Sequence, residues 1–394
     1  MVKMEVKKIS DICLKVCSGG TPTTSVASYY DGDIPWLNTN EVNFCNIYST
    51  AKHISEEGLR KSAAKYIPIN TIIVAMYGVT AGKCAIAKIP LTTNQACCNL
   101  IIDETKAHYQ YVYYFLKLQS DFLNSLATGG AQQNLNALMI KRFPIFLPLL
   151  HVQQKIASIL SSYDTLIDIN TKRIKLLEES ARELYKEWFV RMRFPGYEQA
   201  KFVKGIPEGW KVGCLKETST LYSQKVKGEN VAIYVTTENM LKDFNGVDFN
   251  ELTIKPEGRI CMFDKGDILL SNIRPYFKKL WYANQQGGCS ADVLVFRANK
   301  DIDSHYLYYT MCTDYFIDYV MAGSNGTKMP RGNKVFTMNF PMLIPKKELM
   351  DLFHENVAPI YDAIENLQLQ NQTLASTRDR LLPRLLSGEL KLKA

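Results

Sequence analysis

Two long stretches of the chain place apolar residues at alternating spacings of three and four, which is typical of a helix that buries one stripe. The first stripe lies between Val152 and Val190, and the second between Val357 and Leu385. Each stripe carries one asparagine, and an asparagine on such a seam fixes the register of paired helices. The positions predicted to pair are Tyr163, Ile167, Asn170, Ile174, Leu177, Leu184, Ile360, Ile364, Leu367, Asn371, Leu374 and Leu381.

Prolines distinguish the two stripes. The first has none, whereas the second contains Pro359 and Pro383. We expect Pro359 in the first turn of its helix and Pro383 close to the end of that helix, where prolines are either tolerated or kink the helix.

Shorter patterns fill the regions that precede the two stripes. Runs such as TIIVAMY, CAIAKI and DVLVF, separated by turn residues, predict strands. YVYYFLKLQSDFLNSLA and YLYYTMCTDYFIDYVMA predict amphipathic helices, whose tyrosines we expect in a core rather than stacked on nucleic-acid bases. Both regions are therefore predicted to be mixed α and β.

The chain repeats itself at a spacing of about 197 residues. Pro144 matches Pro341, and the Tyr-Asp pair at Tyr163 matches the pair at Tyr361. The predicted order is a globular half (1–150), a helical spacer (151–190), a second globular half (191–345), and a second helical region with a tail (346–394). The fold class is thus α+β with a pseudo-twofold internal repeat.

A single amphipathic helix cannot bury its own stripe, so the two long helices are predicted to pair with each other as an antiparallel coiled coil. At 1.5 Å per residue, a helix of about 35 residues is roughly 50 Å long. That length corresponds to about 15 base pairs of B-DNA. The pair would act as a ruler between the two globular halves.

Charge is divided between the two globular halves. The net charge is +8, and residues 1–150 (14 basic, 10 acidic) and 191–345 (20 basic, 16 acidic) each contribute +4, whereas residues 151–190 are neutral. Two basic halves fit a polyanion that is touched at two places, although ordinary solubility charge would give the same composition.

Composition restricts the environment and the cofactors. No secretory pattern opens the sequence, and the longest apolar run, FPIFLPLLHV, is too short to cross a bilayer, so we expect a soluble cytoplasmic protein without membrane contact. The ten cysteines are expected to be reduced thiols. They form no C-x-x-C pair and the five histidines are scattered, so no metal is expected in this chain.

Motifs for covalent chemistry are missing from the sequence. GVTAGKC, starting at Gly78, has three residues between its glycines, and Cys84 stands where a phosphate loop has Ser or Thr. We interpret this segment as a strand, a turn and a strand with a basic tip. No catalytic residue is predicted, and the chain is expected not to be an enzyme.

Residues suited to reading bases lie on polar loops at matching places in the two halves. The DNA-binding candidates are Asn38, Thr39, Asn40, Tyr77, Thr80, Lys83, Gln132, Gln133 and Asn134 in the first half, and Thr236, Thr237, Ser271, Asn272, Arg274, Lys278, Lys279, Asn325, Thr327, Lys328 and Arg331 in the second. The loops differ in sequence between the halves, as two readers of different short sites would. The alternatives are a coiled-coil scaffold that binds only proteins and a stand-alone nuclease or methyltransferase.

Several segments together resemble the specificity (S) subunits of type I restriction-modification systems. They are SGGTP with YYDGDIPWLNTNEV, AMYGVTAGKCAI, GGAQQNLNALMIKRFPIFLP, the first helical stripe, and the closing LLPRLLSGEL. The resemblance covers essentially the whole chain, although the second half lacks the SGGTP stretch and opens with GIPEGWKVGCL.

The resemblance implies a non-catalytic subunit that reads DNA. Its globular halves would be two target-recognition domains, each reading one half of a bipartite asymmetric site in double-stranded DNA. Its helices would set the gap and dock two methyltransferase subunits. Partner methyltransferase and restriction subunits would use S-adenosylmethionine, ATP and Mg²⁺, and this chain would need no cofactor of its own.

Overall fold

The computed structural model describes residues 4–128, 135–249, 255–390 and 392 of the chain. It divides into two compact units: unit 1 combines two separate segments of the chain, whereas unit 2 is one continuous segment. Unit 1 comprises Met1–Ile169 and Gln370–Ala394, and unit 2 comprises Asn170–Leu369. Each unit therefore contains part of both long helices.

Unit 1 consists of short strands followed by helices. Its strands are β1 (Glu5–Lys8), β2 (Cys13–Ser18), β3 (Ile34–Leu37), β4 (Asn46–Ile47), β5 (Lys52–Ile54), β6 (Ile72–Ala75), β7 (Cys84–Ala87), β8 (Thr92–Thr93), β9 (Cys97–Ile102) and β10 (Pro144–Leu147). Its helices are α1 (Glu56–Arg60), α2 (Tyr109–Leu118), α3 (Ser120–Thr128), α4 (Ala137–Arg142) and the first part of α5 (Leu150–Tyr185). The sheet orders are β2-β9-β6-β7-β4, β5-β3-β8 and β1-β10.

Unit 2 repeats this plan. Its strands are β11 (Phe202–Val203), β12 (Ile206–Pro207), β13 (Lys211–Cys214), β14 (Ser219–Tyr222), β15 (Lys225–Lys227), β16 (Tyr234–Val235), β17 (Arg259–Phe263), β18 (Ile268–Ser271), β19 (Leu280–Tyr282), β20 (Gly287–Cys289), β21 (Val293–Ala298) and β22 (Pro341–Ile344). Its helices are α6 (Leu215–Thr218), α7 (Ser304–Met311), α8 (Asp314–Ala322), α9 (Lys334–Met338) and the first part of α10 (Lys347–Leu386). The sheet orders are β14-β21-β18-β19, β15-β17-β20-β16, β13-β22 and β11-β12.

The internal repeat predicted from the sequence is confirmed as a repeat of structure. β2-β9-β6-β7 in unit 1 corresponds to β14-β21-β18-β19 in unit 2, and β1-β10 corresponds to β13-β22. A hydrogen bond is also repeated, because the Tyr111 hydroxyl donates to the Phe146 carbonyl and the Tyr306 hydroxyl donates to the Leu343 carbonyl. The two tyrosine-rich segments form α2 with α3 and α7 with α8, and Tyr111 and Tyr306 are buried, as predicted.

The long helices close the cores of both units. In unit 1, Ile156 and Leu160 from the start of α5 share one core with Leu382 and Leu385 from the end of α10. In unit 2, residues from the end of α5 share one core with residues from the start of α10, namely Ala181, Tyr185, Met350, Phe353 and Val357. All positions predicted to pair are buried or half-buried, with Asn170, Ile364 and Leu367 buried.

The expectation for Pro359 was wrong. α10 begins at Lys347, so Pro359 lies within the body of the helix and not in its first turn. Its ring is exposed, and Val357 and Ile364 on either side are buried. Packing on both sides of the proline therefore offsets the backbone hydrogen bond that proline removes.

The SGGTP segment is a place of close backbone approach. A Cβ atom added to Gly19 would lie 2.1 Å from the Thr93 carbonyl oxygen, and one added to Gly20 would lie 2.2 Å from the Ala64 nitrogen. The Gly20 carbonyl also accepts a hydrogen bond of 2.9 Å from Trp36 Nε1. The two glycines are therefore required for packing, since any side chain there would collide with the backbone of Thr93 or of Ala63 and Ala64.

A partly buried ion pair joins the two long helices inside unit 1. Arg378 of α10 pairs with Asp164 of α5, and their side chains are 12% and 20% exposed. Asp164 also accepts a hydrogen bond of 2.5 Å from the Tyr114 hydroxyl of α2. Burial, followed by the charge of Asp164, raises the pKa of Tyr114, which therefore stays a donor. One carboxylate thus connects three helices.

Replacing Arg378 by Met should lower the free energy of unfolding, because Asp164 would keep a partly buried charge without its partner. Discounted for the remaining solvent exposure, the loss should be about 2–4 kcal/mol in a urea titration. Arg380→Met, at an exposed position of the same helix, is the matched control and should change little. Equal stability of the two variants would show that the ion pair contributes nothing.

Candidate nucleic-acid interface

In both units, candidate residues follow the end of one central core strand. β6 of unit 1 leads into the turn that carries Tyr77 and Thr80, and β18 of unit 2 leads into the turn that carries Asn272 and Arg274. All residues of β6 and β18 are buried. A rigid strand therefore positions each turn.

In unit 1 the structure brings two of the predicted loops together. Thr39 lies in a 3-10 turn after β3, and Thr80 lies in the turn after β6. The Thr80 hydroxyl donates a hydrogen bond of 2.8 Å to the Thr39 carbonyl. Asn40 is exposed at this place, and Tyr77 is 37% exposed. Lys83 donates a hydrogen bond of 2.9 Å to Asn43 Oδ1. The result is one polar surface that includes Asn40, Tyr77 and Lys83.

In unit 2 the turn after β16 and the turn after β18 are linked in the same way. Lys279 Nζ donates a hydrogen bond of 2.6 Å to the Thr237 carbonyl. The Thr236 hydroxyl accepts from the backbone N–H of Glu238 at 3.2 Å and so caps its own turn. Thr236 and Lys279 therefore hold the loops in place.

The segment around Arg274 is held in an uncommon backbone conformation. Arg274 has a φ of +50°, in the left-handed region, and its N–H donates a hydrogen bond of 2.8 Å to the Pro330 carbonyl. Asn325 and Arg331 exchange backbone hydrogen bonds of 3.0 Å, which closes the loop between them. Among the described residues, Arg274 Nε and Asn272 Oδ1 are buried without a hydrogen-bond partner. Backbone strain and unpaired polar atoms at one turn are typical of a binding site.

Two basic side chains near Arg274 form solvent-exposed ion pairs with acidic residues. Lys278 Nζ lies 2.7 Å from Asp314 Oδ1, and Arg331 Nη2 lies 3.1 Å from Asp292 Oδ1. The hydrogen bond with Asp314 raises the pKa of Lys278, which therefore remains a cation. Such exposed pairs are worth about 0–1 kcal/mol, so a phosphate can replace the carboxylate at little cost.

Two of the predicted contacts are corrected by the structure. Thr80 is 7% exposed and Ser271 is 1% exposed, and each hydroxyl donates to a backbone carbonyl, from Thr80 to Thr39 and from Ser271 to Ile273. Their side chains hold the turns together and do not face a ligand. Gln132, Gln133 and Asn134 lie outside the described residues.

The other candidates differ in exposure. Asn38 is half-buried, and its backbone N–H and side-chain oxygen are engaged by Glu41 and Asn94. In unit 2, Asn325, Thr327 and Lys328 are exposed. Contacts between these residues and DNA stay predictions.

Sequence reasoning missed one residue of the unit 2 surface. Tyr276 lies between Arg274 and Lys278, is 45% exposed, and packs against Phe277 with ring centroids 4.6 Å apart. An exposed tyrosine flanked by cations is a suitable contact for a base or a sugar. The two aromatic residues flanked by basic residues in RPYFKK were the sequence signal that could have indicated Tyr276.

The GVTAGKC segment forms the turn between two strands, as predicted, but the exposed residue at its tip is Val79 and not a basic residue. A 3-10 turn from Gly78 to Thr80 separates β6 from β7, and Val79 at its tip is 97% exposed. Cys84 is buried in β7, where burial raises the pKa of its thiol. Separately, no helix within the described part of the chain is long and apolar enough to cross a membrane.

Comparisons with known proteins agree with the architecture. The family model described as "Type I restriction modification DNA specificity domain" matches residues 1–179. The chain is 30% identical to the type I restriction enzyme MjaIX specificity subunit of Methanocaldococcus jannaschii, over 99% of this chain and 94% of the relative. It is 24% identical to the MjaVIII specificity subunit of the same organism, over 99% and 93%.

A solved structure shares the fold. The S subunit of a type I restriction-modification system from M. genitalium superposes with a TM-score of 0.56 at 16% identity, covering 98% of this chain and 96% of that chain. The duplicated α+β plan and the full-length similarity at 30% identity lead to one conclusion. This chain belongs to the family of type I restriction enzyme specificity subunits.

Proposed function

We propose that this chain recognises a bipartite, asymmetric site in double-stranded DNA, with unit 1 reading one half and unit 2 the other. The observation behind the proposal is that both units repeat one arrangement of strands, whereas the loops on those strands differ in sequence. The same strand order supports the turns after β6 and β18, yet one turn carries Tyr77 and Lys83 and the other carries Arg274, Tyr276 and Lys278. Two units with the same arrangement of strands but different loop side chains are suited to reading two different half-sites.

Within each surface, side chains would divide between phosphates and bases. Lys278 and Arg331 would exchange their carboxylate partners for phosphates, which releases counterions and makes binding sensitive to salt. Arg274 would read a base, because the Pro330 carbonyl fixes its backbone and so positions its guanidinium. A guanidinium fork matches the O6 and N7 atoms of guanine in the major groove.

The long helices would fix the gap between the half-sites and dock the partner subunits. α5 and α10 each contribute to both units, so neither unit can change its helix contacts independently. We propose two methyltransferase subunits and additional restriction subunits as partners. Those partners would carry adenine methylation with S-adenosylmethionine, and ATP- and Mg²⁺-dependent translocation and cleavage, while this chain supplies specificity alone.

Arg274→Ala should weaken binding of the assembled methyltransferase to its site by roughly 1–3 kcal/mol, because a bidentate base contact would be lost. The measurement is binding to a set of duplexes that differ at single positions of the site. Specificity should relax at one position of one half-site. Arg259→Ala, at an exposed arginine on β17, is the control and should preserve specificity. Uniform weakening on all duplexes would mean that Arg274 touches only the backbone.

Lengthening both long helices by one heptad should lengthen the gap in the DNA site. Matched insertions after Ile169 in α5 and after Leu369 in α10 keep the residues of each core in their own unit. Seven residues add about 10 Å, or about three base pairs. Methylation mapping should show unchanged half-sites with a longer gap. An altered half-site with the old gap contradicts the proposed spacer role.

A further inference from the structure

Three side chains that can bind a metal lie close together in unit 2. They are distant in sequence from Arg274, the residue proposed to read a base. Asp303 and His305 lie at the start of α7, and His354 lies in α10. One ligand atom from each of the three lies within 4.8 Å of the other two. The 48 residues between His305 and His354 explain why no sequence spacing indicated this site.

Asp303 is oriented by the helix that it caps. One carboxylate oxygen, Oδ1, accepts a hydrogen bond of 2.8 Å from the Tyr306 N–H and so caps the N-terminus of α7. The other, Oδ2, lies 2.7 Å from His354 Nδ1 and 3.7 Å from His305 Nδ1. The Asp303 side chain is only 7% exposed. The cap therefore fixes the second carboxylate oxygen between two imidazoles.

His305 is held rigidly and has an unsatisfied nitrogen. Its residue is 5% exposed, and its ring stacks on Tyr282 with centroids 4.6 Å apart and contacts Tyr361 at 4.5 Å. Among the described residues, its buried Nδ1 has no hydrogen-bond partner. A buried polar atom without a partner costs free energy that a ligand would recover.

We propose that Asp303, His305 and His354 form a binding site for a divalent transition metal, with zinc as the best match. Two imidazoles and one carboxylate are ligands that zinc accepts, whereas magnesium and calcium prefer oxygen alone. With metal–ligand bonds of about 2.0–2.2 Å, tetrahedral ligand atoms lie about 3.3–3.6 Å apart. The distance of 3.7 Å between Asp303 Oδ2 and His305 Nδ1 is only slightly longer than this spacing.

Only His354 has to move when the metal enters. Its Nδ1 is closer to Asp303 than a shared metal allows, and its side chain is 51% exposed, so a small rotation costs little. The exposed side of His354 also gives the metal and a water molecule access from solvent. The bound metal would tie the first turn of α7 to α10 within unit 2 and stabilise the folded state.

The test is titration of the reduced full-length chain with Zn²⁺ by calorimetry, together with the visible absorption of the Co²⁺ complex. One ion per chain should bind, and the cobalt spectrum should lack the charge-transfer bands of thiolate ligands. His354→Gln should weaken binding at least about tenfold. Asp303→Asn should do the same while keeping the capping oxygen that holds α7.

His53→Ala is the matched control, because His53 is an exposed histidine in unit 1. Zinc should raise the melting temperature of the wild type and of His53→Ala, but not that of His354→Gln. Absence of binding, equal affinity in all variants, or a thiolate spectrum would overturn the proposal. Any of these results would show that Asp303 and His354 are joined by a hydrogen bond and do not hold a metal, and none of them affects the proposed DNA recognition.

Discussion

Burial of the two long apolar stripes governs how this chain is built. An amphipathic helix needs a partner surface for its stripe, and here each stripe is divided between two cores. Ile156 and Leu160 of α5 are buried with Leu382 and Leu385 of α10 in unit 1, while Tyr185 and Phe353 are buried together in unit 2. Removing either helix would therefore open both units, and the second part of α10 explains why unit 1 includes the C-terminal segment Gln370–Ala394.

A rigid frame allows the loops to differ. The strands β6 and β18 are fully buried and sit at the same place in their sheets, so the turns after them are held by equivalent backbone. Buried hydroxyls strengthen this arrangement, because Thr80 donates to the Thr39 carbonyl of the neighbouring loop and Ser271 donates to the Ile273 carbonyl of its own loop. Exposed side chains such as Tyr77 and Tyr276 are not needed to hold the loops in place, so these positions can vary with the DNA site.

Much of the fold could be predicted because periodicity and internal matching act over long stretches. The repeat at Pro144 and Pro341, the two stripes and the tyrosine-rich helices all follow from burial of apolar faces. Pairs formed by tertiary contact could not be predicted. Nothing in the sequence shows that Thr80 turns inward to Thr39, or that Asp303 meets His354. Pro359 was misplaced because its helix begins earlier than the apolar pattern indicates.

The most direct test of the proposed recognition is a map of adenine methylation in host DNA. The chain would be expressed with its methyltransferase subunit, and the map compared with that of a strain lacking this chain. Recognition by two different units predicts a new motif made of two short, different half-sites separated by a fixed gap. A single continuous motif, or methylation that does not depend on this chain, would contradict it.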